Sequence, residues 1–311
     1  MQSYIATFVA GCQDIILRQL KRMPLDKLKV TNVDESSVTF DSDYPVEKLI
    51  ELRFFTNIYL AIKDIANPKS MLKGKYFRLM MLKDGEPTQI TPPDRASLET
   101  RIKQDFGLIP NTHLSKNDFY LIERTSGQKL LTLRLSRAKF KREELSSGEL
   151  RPELAHILLL AAGVRAKDTV LDMFAGYGSI PFEAVRGFGC KQVIAVDNQK
   201  LLNRHEHPSI QWYEADASNL DFLADNSVDR VVTDPPWGSY KKTSEAELNN
   251  LHEHFLSEIH RVLRPDGIAV ILSGSTAVDD AIENSQDFKV LKYYPILVSG
   301  KKATIFKLQK R

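Results

Sequence analysis

The sequence predicts an α/β protein with a C-terminal doubly wound sheet of seven strands, one antiparallel edge strand, and an N-terminal α+β region. Three observations carry this. Short apolar runs alternate with helical patterns across residues 169–310, the pattern of a parallel sheet with crossover helices. The last two runs, 289–298 and 303–310, are separated by the turn-like Ser299-Gly300-Lys301-Lys302, which is too short for a crossover and implies one antiparallel strand. A length of 311 residues fits two domains, or one with a large extension.

The C-terminal elements follow in order. Thr169–Phe174 is an apolar run, Ser179–Arg186 a helical pattern, and Gln192–Asp197, Ile210–Asp216 and Asp229–Asp234 are further strands. The connection after Asp197 is short, so its helix is expected to be reduced or irregular. A long amphipathic helix spans about Ser244–Leu263, with Leu248, Leu251, Phe255, Ile259 and Val262 at helical spacing. Gly267–Leu272 is a strand, a helix starts at Ala277, and the two closing strands end the chain.

The first 143 residues are less regular. Tyr4–Ala10 reads as a strand, Gln13–Arg22 as a helix, and Lys29–Phe40 as two strands around Asp34-Glu35. Val46–Ile62 reads as helical, then extended. Pro68, Gly85-Glu86-Pro87 and Thr91-Pro92-Pro93-Asp94 punctuate what reads as a connector. Leu98–Phe106 is a short helix, and Phe119–Ile122 pairs with Leu130–Leu135 around Ser126-Gly127. The expected division is 1–66, 67–143 and 144–311.

Composition excludes several classes. With 42% hydrophobic and 27% charged residues, the chain is not of a disordered type. No apolar run approaches the roughly 18 residues of a membrane helix, and no basic segment precedes an apolar block at the N-terminus. Cys12 and Cys190 cannot build a disulfide framework or a zinc site alone. A reduced, cytoplasmic protein without membrane attachment is expected. Residues 1–150 hold 24 Lys+Arg against 19 Asp+Glu, and the remainder 19 against 21. Lys129–Arg142 carries six basic residues and no acid. It reads as a charged sheet edge or as a phosphate-contacting strip.

The chemistry concentrates at strand ends. Asp172 closes one strand, and Gly176 and Gly178 open the following helix, where a ligand can approach the backbone. A dinucleotide fingerprint would place a third glycine at 181, where Pro181 stands, so NAD is disfavoured. Asp197 lies 19 residues beyond Gly178, a position that suits a carboxylate on ribose hydroxyls, and Asp216 ends the next strand. Each aspartate alone could be a helix cap; three beside a glycine turn describe an adenosine pocket. In Thr233-Asp234-Pro235-Pro236-Trp237-Gly238 the prolines stiffen the backbone. The Asp234 carboxylate and the following carbonyl can then accept the N–H groups of an exocyclic amine. Holding such an amine favours the pyramidal geometry that attacks a methyl sulfonium, and Trp237 can stack on the base. His205-Glu206-His207 and His252-Glu253-His254 lack metal-binding spacing and read as surface residues, Cys190 reads as a small apolar residue, and no metal is expected.

Taken together, Asp172, Gly176, Gly178, Asp197, Asp216 and Asp234-Pro235-Pro236-Trp237 resemble the class I S-adenosylmethionine-dependent methyltransferases that modify amino groups. Gly148-Glu149-Leu150-Arg151-Pro152-Glu153-Leu154-Ala155 resembles the segment before the catalytic domain in THUMP-associated RNA methyltransferases, in particular their tRNA guanine-N2 branch. That branch more often has Tyr where Trp237 stands. The likeness covers about residues 144–311. Tyr4–Gly11 and Leu98–Arg137 resemble a shortened, diverged N-terminal and THUMP region, placing a reduced THUMP-like part at 67–143.

The resemblance implies a Rossmann-like methyltransferase domain that binds S-adenosyl-L-methionine through Asp172, Phe174, Gly176, Gly178, Ser179, Asp197, Asn198, Asp216 and Ala217. Asp234, Pro235, Pro236 and Trp237 would be the catalytic set. It implies RNA as partner, tRNA first, with room for a small activator subunit, and N2-methylguanosine as product. The rival readings are N6-adenine methylation of rRNA or DNA, methylation of a protein or small-molecule amide, and a non-catalytic RNA-binding module that keeps the fold.

Overall fold

The computed structural model describes residues 1–311 except 25, 64–67, 137–144, 147, 200–201 and 238–244, and only the backbone of 245–253. The chain divides into two compact units, Met1–Lys139 and Phe140–Arg311.

The first unit contains β1 (Gln2–Thr7), α1 (Gln13–Leu20), β2 (Leu28–Val33), β3 (Ser37–Ser42), α2 (Val46–Ile50) and β4 (Asn57–Ala61). It continues with β5 (Tyr76–Lys83), β6 (Glu86–Thr88), α3 (Pro92–Phe106), β7 (Ile109–Pro110), β8 (Asn117–Glu123) and β9 (Lys129–Arg134). All nine strands share one sheet, in the order β2-β3-β1-β4-β9-β8-β5-β6, with β7 beside β5. Strand β4 pairs β9, so strands from 1–66 and from 67–143 belong to the same sheet.

The connector expected over 68–94 is corrected. It contains β5, an inner strand that pairs β8 in parallel and buries Phe77, Leu79 and Met81 at period two. The Pro and Gly residues mark the ends of strands here: Asp84 and Gly85 turn the chain at positive φ into β6. Helix α3 is longer than expected because it starts at the Pro-Pro pair, where the Thr91 hydroxyl accepts from the Asp94 amide at 3.3 Å.

The sheet-edge reading of the basic strip is corrected where it is described, because β9 lies between β4 and β8. The Lys129 ammonium pairs with Glu123 at 3.7 Å, and the Arg134 guanidinium turns onto the buried Asp118 and the Tyr120 ring. These two basic groups are engaged on the sheet. Arg137, Lys139, Lys141 and Arg142 lie outside the described residues.

The second unit contains α4 (Pro152–Ala162), β10 (Thr169–Asp172), α5 (Ser179–Phe188), β11 (Gln192–Asp197), β12 (Ile210–Glu214) and β13 (Val228–Thr233). It ends with α6 (Glu245–Val262), β14 (Leu263–Ser273), α7 (Thr276–Asn284), β15 (Phe288–Val298) and β16 (Lys301–Lys310). The seven strands run β12-β11-β10-β13-β14-β16-β15. Strands β12 to β14 are parallel, and β16 is antiparallel to both β14 and β15. The antiparallel strand is therefore one place in from the edge, because β16 buries Ile305, Phe306 and Leu308 between two partners. Among the described residues 198–209 there is no helix. Helix α4 carries no amphipathic signal because it is buried on almost every side, from Leu154 to Leu159 and again at Ala161 and Ala162.

One core cluster lies on a single face of this sheet. It joins Leu171, Val196 and Val231 of the strands to Phe255 and Ile259 of α6, Val278 and Ile282 of α7, and Phe306 and Leu308 of β16. Strand order reverses at β10, where chain connections leave on both sides and a crevice opens at the carboxyl ends.

Candidate functional site

The end of β10 is tied to the end of β13, its parallel neighbour. Asp172 is buried, and its Oδ1 accepts from the Thr233 hydroxyl at 2.7 Å and the Phe174 amide at 3.2 Å. The Thr233 hydroxyl oxygen in turn accepts from the Met173 and Phe174 amides, each at 3.2 Å. Burial pushes the Asp172 carboxyl up to about 7, reinforced by the charges of Asp234 and Asp197 and opposed by the bonds from Thr233 and Phe174. Asp172 thus holds the glycine turn in shape from beneath.

Within that turn Gly176 and Gly178 take φ of 52° and 90°, a region L side chains avoid. Their surroundings differ. A Cβ at Gly176 would meet nothing within 4 Å, whereas one at Gly178 would stand 2.8 Å from the Trp212 ring. Gly176 faces open space, and Gly178 is a packing contact. Asp197, half-buried at the end of β11, accepts from the Gly176 amide at 2.8 Å and the Gln199 amide at 2.9 Å. Two amides on a carboxylate with about four acceptor positions leave room for hydroxyl donors. Asn198 beside it is exposed.

Asp216 lies two residues past the end of β12, exposed, and its Oδ1 accepts from the Ser218 amide and hydroxyl at 2.8 and 2.7 Å. The following Ala217 is buried in the core. Phe174 packs edge-on against Phe255 with centroids 5.5 Å apart. The Ser179 hydroxyl donates to Glu149 Oε1 at 3.4 Å.

Asp234 and Trp237 meet directly: the indole N–H donates to Asp234 Oδ1 at 2.8 Å. The Trp237 ring lies against the backbone of Gly274, where a Cβ would come within 2.2 Å of it. One ring face is therefore occupied by protein, which Gly274 alone permits. Burial pushes the Asp234 carboxyl up to about 7, opposed by the Trp237 bond. Pro235 is buried and Pro236 exposed, while Gly238 lies outside the described residues.

Three contributors were absent from the sequence-derived set. Thr233 was visible only as the residue before the Asp-Pro-Pro motif. Glu149 and His205 are joined by a 2.8 Å bond from one carboxylate oxygen to Nε2. The His205 amide also donates to the Tyr177 carbonyl at 2.7 Å, and its ring stacks on Phe182 at 4.9 Å. His205, with its side chain 35% exposed, therefore stands at the surface and also fastens the connection after β11 to the glycine turn. Arg204 next to it lies over the Trp212 ring at 4.4 Å. His207 and His254 are exposed, and the His252 side chain lies outside the described residues. Cys190 is buried, and burial pushes its thiol up to about 11. Among the described residues no cluster of three or more His, Cys, Asp or Glu could hold a metal ion.

Residues 190–302 match a family model described as UPF0020, RMKL-like, methyltransferase domain. A tRNA (guanine(10)-N2)-dimethyltransferase of Methanothermobacter thermautotrophicus is 31% identical over 136 residues, 41% of this chain. The match spans 39% of that relative's length. TrmN from Thermus thermophilus superimposes with a TM-score of 0.80 over 100% of both chains, at 20% identity. A possible methylase from Clostridium difficile 630 gives a TM-score of 0.69 over 100% of this chain and 98% of that one, at 11% identity. A predicted N6-adenine-specific DNA methylase from Listeria monocytogenes gives 0.70 over 98% and 95%, at 14% identity. At these identities the structural likenesses establish the fold, and the family match assigns residues 190–302 of the second unit to a methyltransferase-domain model.

Proposed function

We propose that this chain methylates the exocyclic N2 of guanine in tRNA. S-adenosyl-L-methionine, when bound, supplies the methyl group as a sulfonium. The crevice suits it: Gly176 faces open space, and Asp197 keeps acceptor capacity beside it. In this reading Asp197 and Asn198 receive the ribose hydroxyls. Asp216 and Ala217 border the adenine, and the backbone of Phe174, Gly176, Gly178 and Ser179 lines the remainder. Asp172 acts from below by fixing the turn.

The observation that carries the reading is Asp234, a carboxylate at the end of β13 beside the glycine turn, followed by two prolines and an indole. The Asp234 carboxylate and the Pro235 carbonyl accept the two N–H groups of the target amine and orient its lone pair. A carboxylate lifted to about 7 is matched to taking the proton that the alkylated amine gives up. The Trp237 face turned away from Gly274 is where the base stacks. The choice of guanine N2 rests on the motif and on the printed activity of the archaeal relative. The RNA-contacting role falls to residues 1–143, with 67–143 as the reduced THUMP-like part. Among the described residues no helix is long and apolar enough to cross a membrane, and we place the protein in the cytoplasm.

The test is transfer from labelled S-adenosylmethionine to unmodified tRNA, rRNA and DNA, with products resolved as nucleosides and Asp234→Ala as control. N2-methylguanosine in tRNA, lost in the variant while cofactor binding persists, is the expected result. N6-methyladenosine would overturn the target base, and wild-type turnover by Asp234→Ala would overturn the role of Asp234. A requirement for added cell extract would identify a need for an activator subunit.

A further inference from the structure

The charge of the methyltransferase unit is unevenly placed. Residues 151–287 hold 12 Lys+Arg against 21 Asp+Glu, whereas residues 288–311 hold seven basic residues and no acid. Those 24 residues are the β15–β16 hairpin. A polyanion is repelled by the acidic remainder and attracted by this one element.

Lys292 lies over the Tyr294 ring at 5.3 Å, and two more basic groups are held at the far end of the hairpin. The Lys310 ammonium donates to Asn226 Oδ1 at 2.7 Å and to the Leu263 carbonyl at 3.0 Å, and Arg311 donates to the Gln286 carbonyl at 3.4 Å. Lys301 and Lys302 stand at the opposite end, both exposed. The turn joining the strands is the two-residue Ser299-Gly300, with φ of 52° and 82°. This is the tight hairpin type that matches strand twist and fixes the residues flanking it.

The register locates this end. Thr304 of β16 pairs Ser273 of β14, and Gly274, the next residue, carries the Trp237 ring. Lys302 and Lys301 lie two and three residues beyond Thr304, towards the carboxyl ends of the parallel strands. Strand spacing and rise put them on the order of 10 Å from the indole. The exposed Leu297, opposite Lys302, and Tyr293 lie along the same edge.

We infer that Lys301 and Lys302 form a phosphate-binding rim on the crevice, gripping the RNA backbone next to the nucleotide placed at Asp234. The inference rests on the RNA reading above. It assigns to the catalytic unit a substrate contact separate from the N-terminal unit. It also explains why an acidic domain tolerates a polyanion at its crevice: the anion enters from the hairpin side.

The experiment uses the full chain with an unmodified tRNA transcript, comparing Lys301→Glu/Lys302→Glu and Lys301→Ala/Lys302→Ala with wild type. Lys191→Glu, an exposed charge reversal at the other end of the sheet, is the control. The double reversal is expected to raise the tRNA KM at least tenfold. The KM for S-adenosylmethionine and kcat should stay within twofold, with the melting temperature unchanged. The double alanine variant should show a smaller rise and a shallower salt dependence of RNA binding, by roughly 1.4 in the log–log slope for two contacts. An unchanged tRNA KM and slope in both hairpin variants would overturn the inference, as would an equal loss in Lys191→Glu. Absence of RNA methylation by wild type would overturn the functional reading itself, and that is read before any variant is compared.

Discussion

Replacing Thr233 by Val keeps the shape of a fully buried side chain and removes one hydroxyl. That hydroxyl makes three bonds: it donates to Asp172 at 2.7 Å and accepts from the Met173 and Phe174 amides at 3.2 Å each. Phe174 and Asp172 Oδ1 keep each other as partners, so the substitution strands the Met173 amide and removes one of the two donors to Asp172 Oδ1. A buried polar group left without its partner costs about 1–3 kcal/mol, and the stranded Met173 amide sets that as the expected loss. For a domain of this size each kcal/mol lowers Tm by about 2–4 °C, so a fall of roughly 2–12 °C is expected by calorimetry. Because these groups shape the glycine turn, cofactor affinity measured by titration calorimetry should fall as well. Thr233→Ser, which keeps the hydroxyl, should recover most of both. A Thr233→Val protein with a Tm within 2 °C of wild type and an unchanged Kd would refute the bracing argument.

Other substitutions separate roles that the sequence merges. Gly176→Ala should leave Tm within a few degrees but weaken S-adenosylmethionine binding at least tenfold, since its Cβ enters open space. Gly178→Ala, with a Cβ 2.8 Å from Trp212, should lower Tm more than Gly176→Ala does, and a reversed order would reject the packing account. Asp172→Asn tests the raised carboxyl. With a folded pKa near 7 against an ordinary 3.8, the folded state holds the proton more tightly, so this group's contribution to stability declines from about pH 4 to 7 and is flat above. The slope is at most about 1.4 kcal/mol per pH unit, and Asp172→Asn should remove it; equal pH–Tm curves for variant and wild type would contradict the burial. His205→Ala should loosen the connection after β11 and weaken cofactor binding several-fold. Glu149→Gln, which keeps an acceptor for His205 Nε2, should be milder; indifference of both in a titration would dismiss the anchoring role.

The second unit was legible because its strands are apolar runs closed by chemistry. Val193–Val196 and Val231–Val232 are buried, the aspartates fall at or just past strand ends, and the turn expected over 299–302 is present but tighter, with Lys301 and Lys302 already in β16. What escaped has physical causes. Strand β5 was hidden by the prolines and glycines at its ends, which punctuate a strand as readily as a loop. Helix α4 is apolar on all faces, so periodicity does not mark it. Glu149 and Thr233 act through contacts 56 and 61 residues away, on His205 and Asp172, and local pattern holds no record of such pairs. For His205, the i, i+2 spacing carries no record of its bond to Glu149 or its stacking on Phe182.

The bonds at the ends of β10 and β13 tie two functions to one device. The glycine turn would place the methyl donor, and Asp234 the acceptor amine, and Asp172–Thr233 fixes the first to the strand that carries the second. Positioning is the dominant rate term for a transfer with no covalent step on the protein, so an error in this distance acts on the rate itself. Burial lifts both carboxyls to about 7, so contacts separate their roles: Asp172 is bonded to Thr233 and Phe174 within the fold, and Asp234 to the Trp237 indole at the crevice. The expected consequence is that Asp172→Asn, which keeps an acceptor oxygen for Thr233 and Phe174, retains kcat near wild type at pH 8. Asp234→Asn replaces an acceptor oxygen with donors and should lose kcat by orders of magnitude at every pH. If both variants lost rate equally in single-turnover measurements, the two carboxyls would share the chemistry, and the division into bracing and reacting groups would fail.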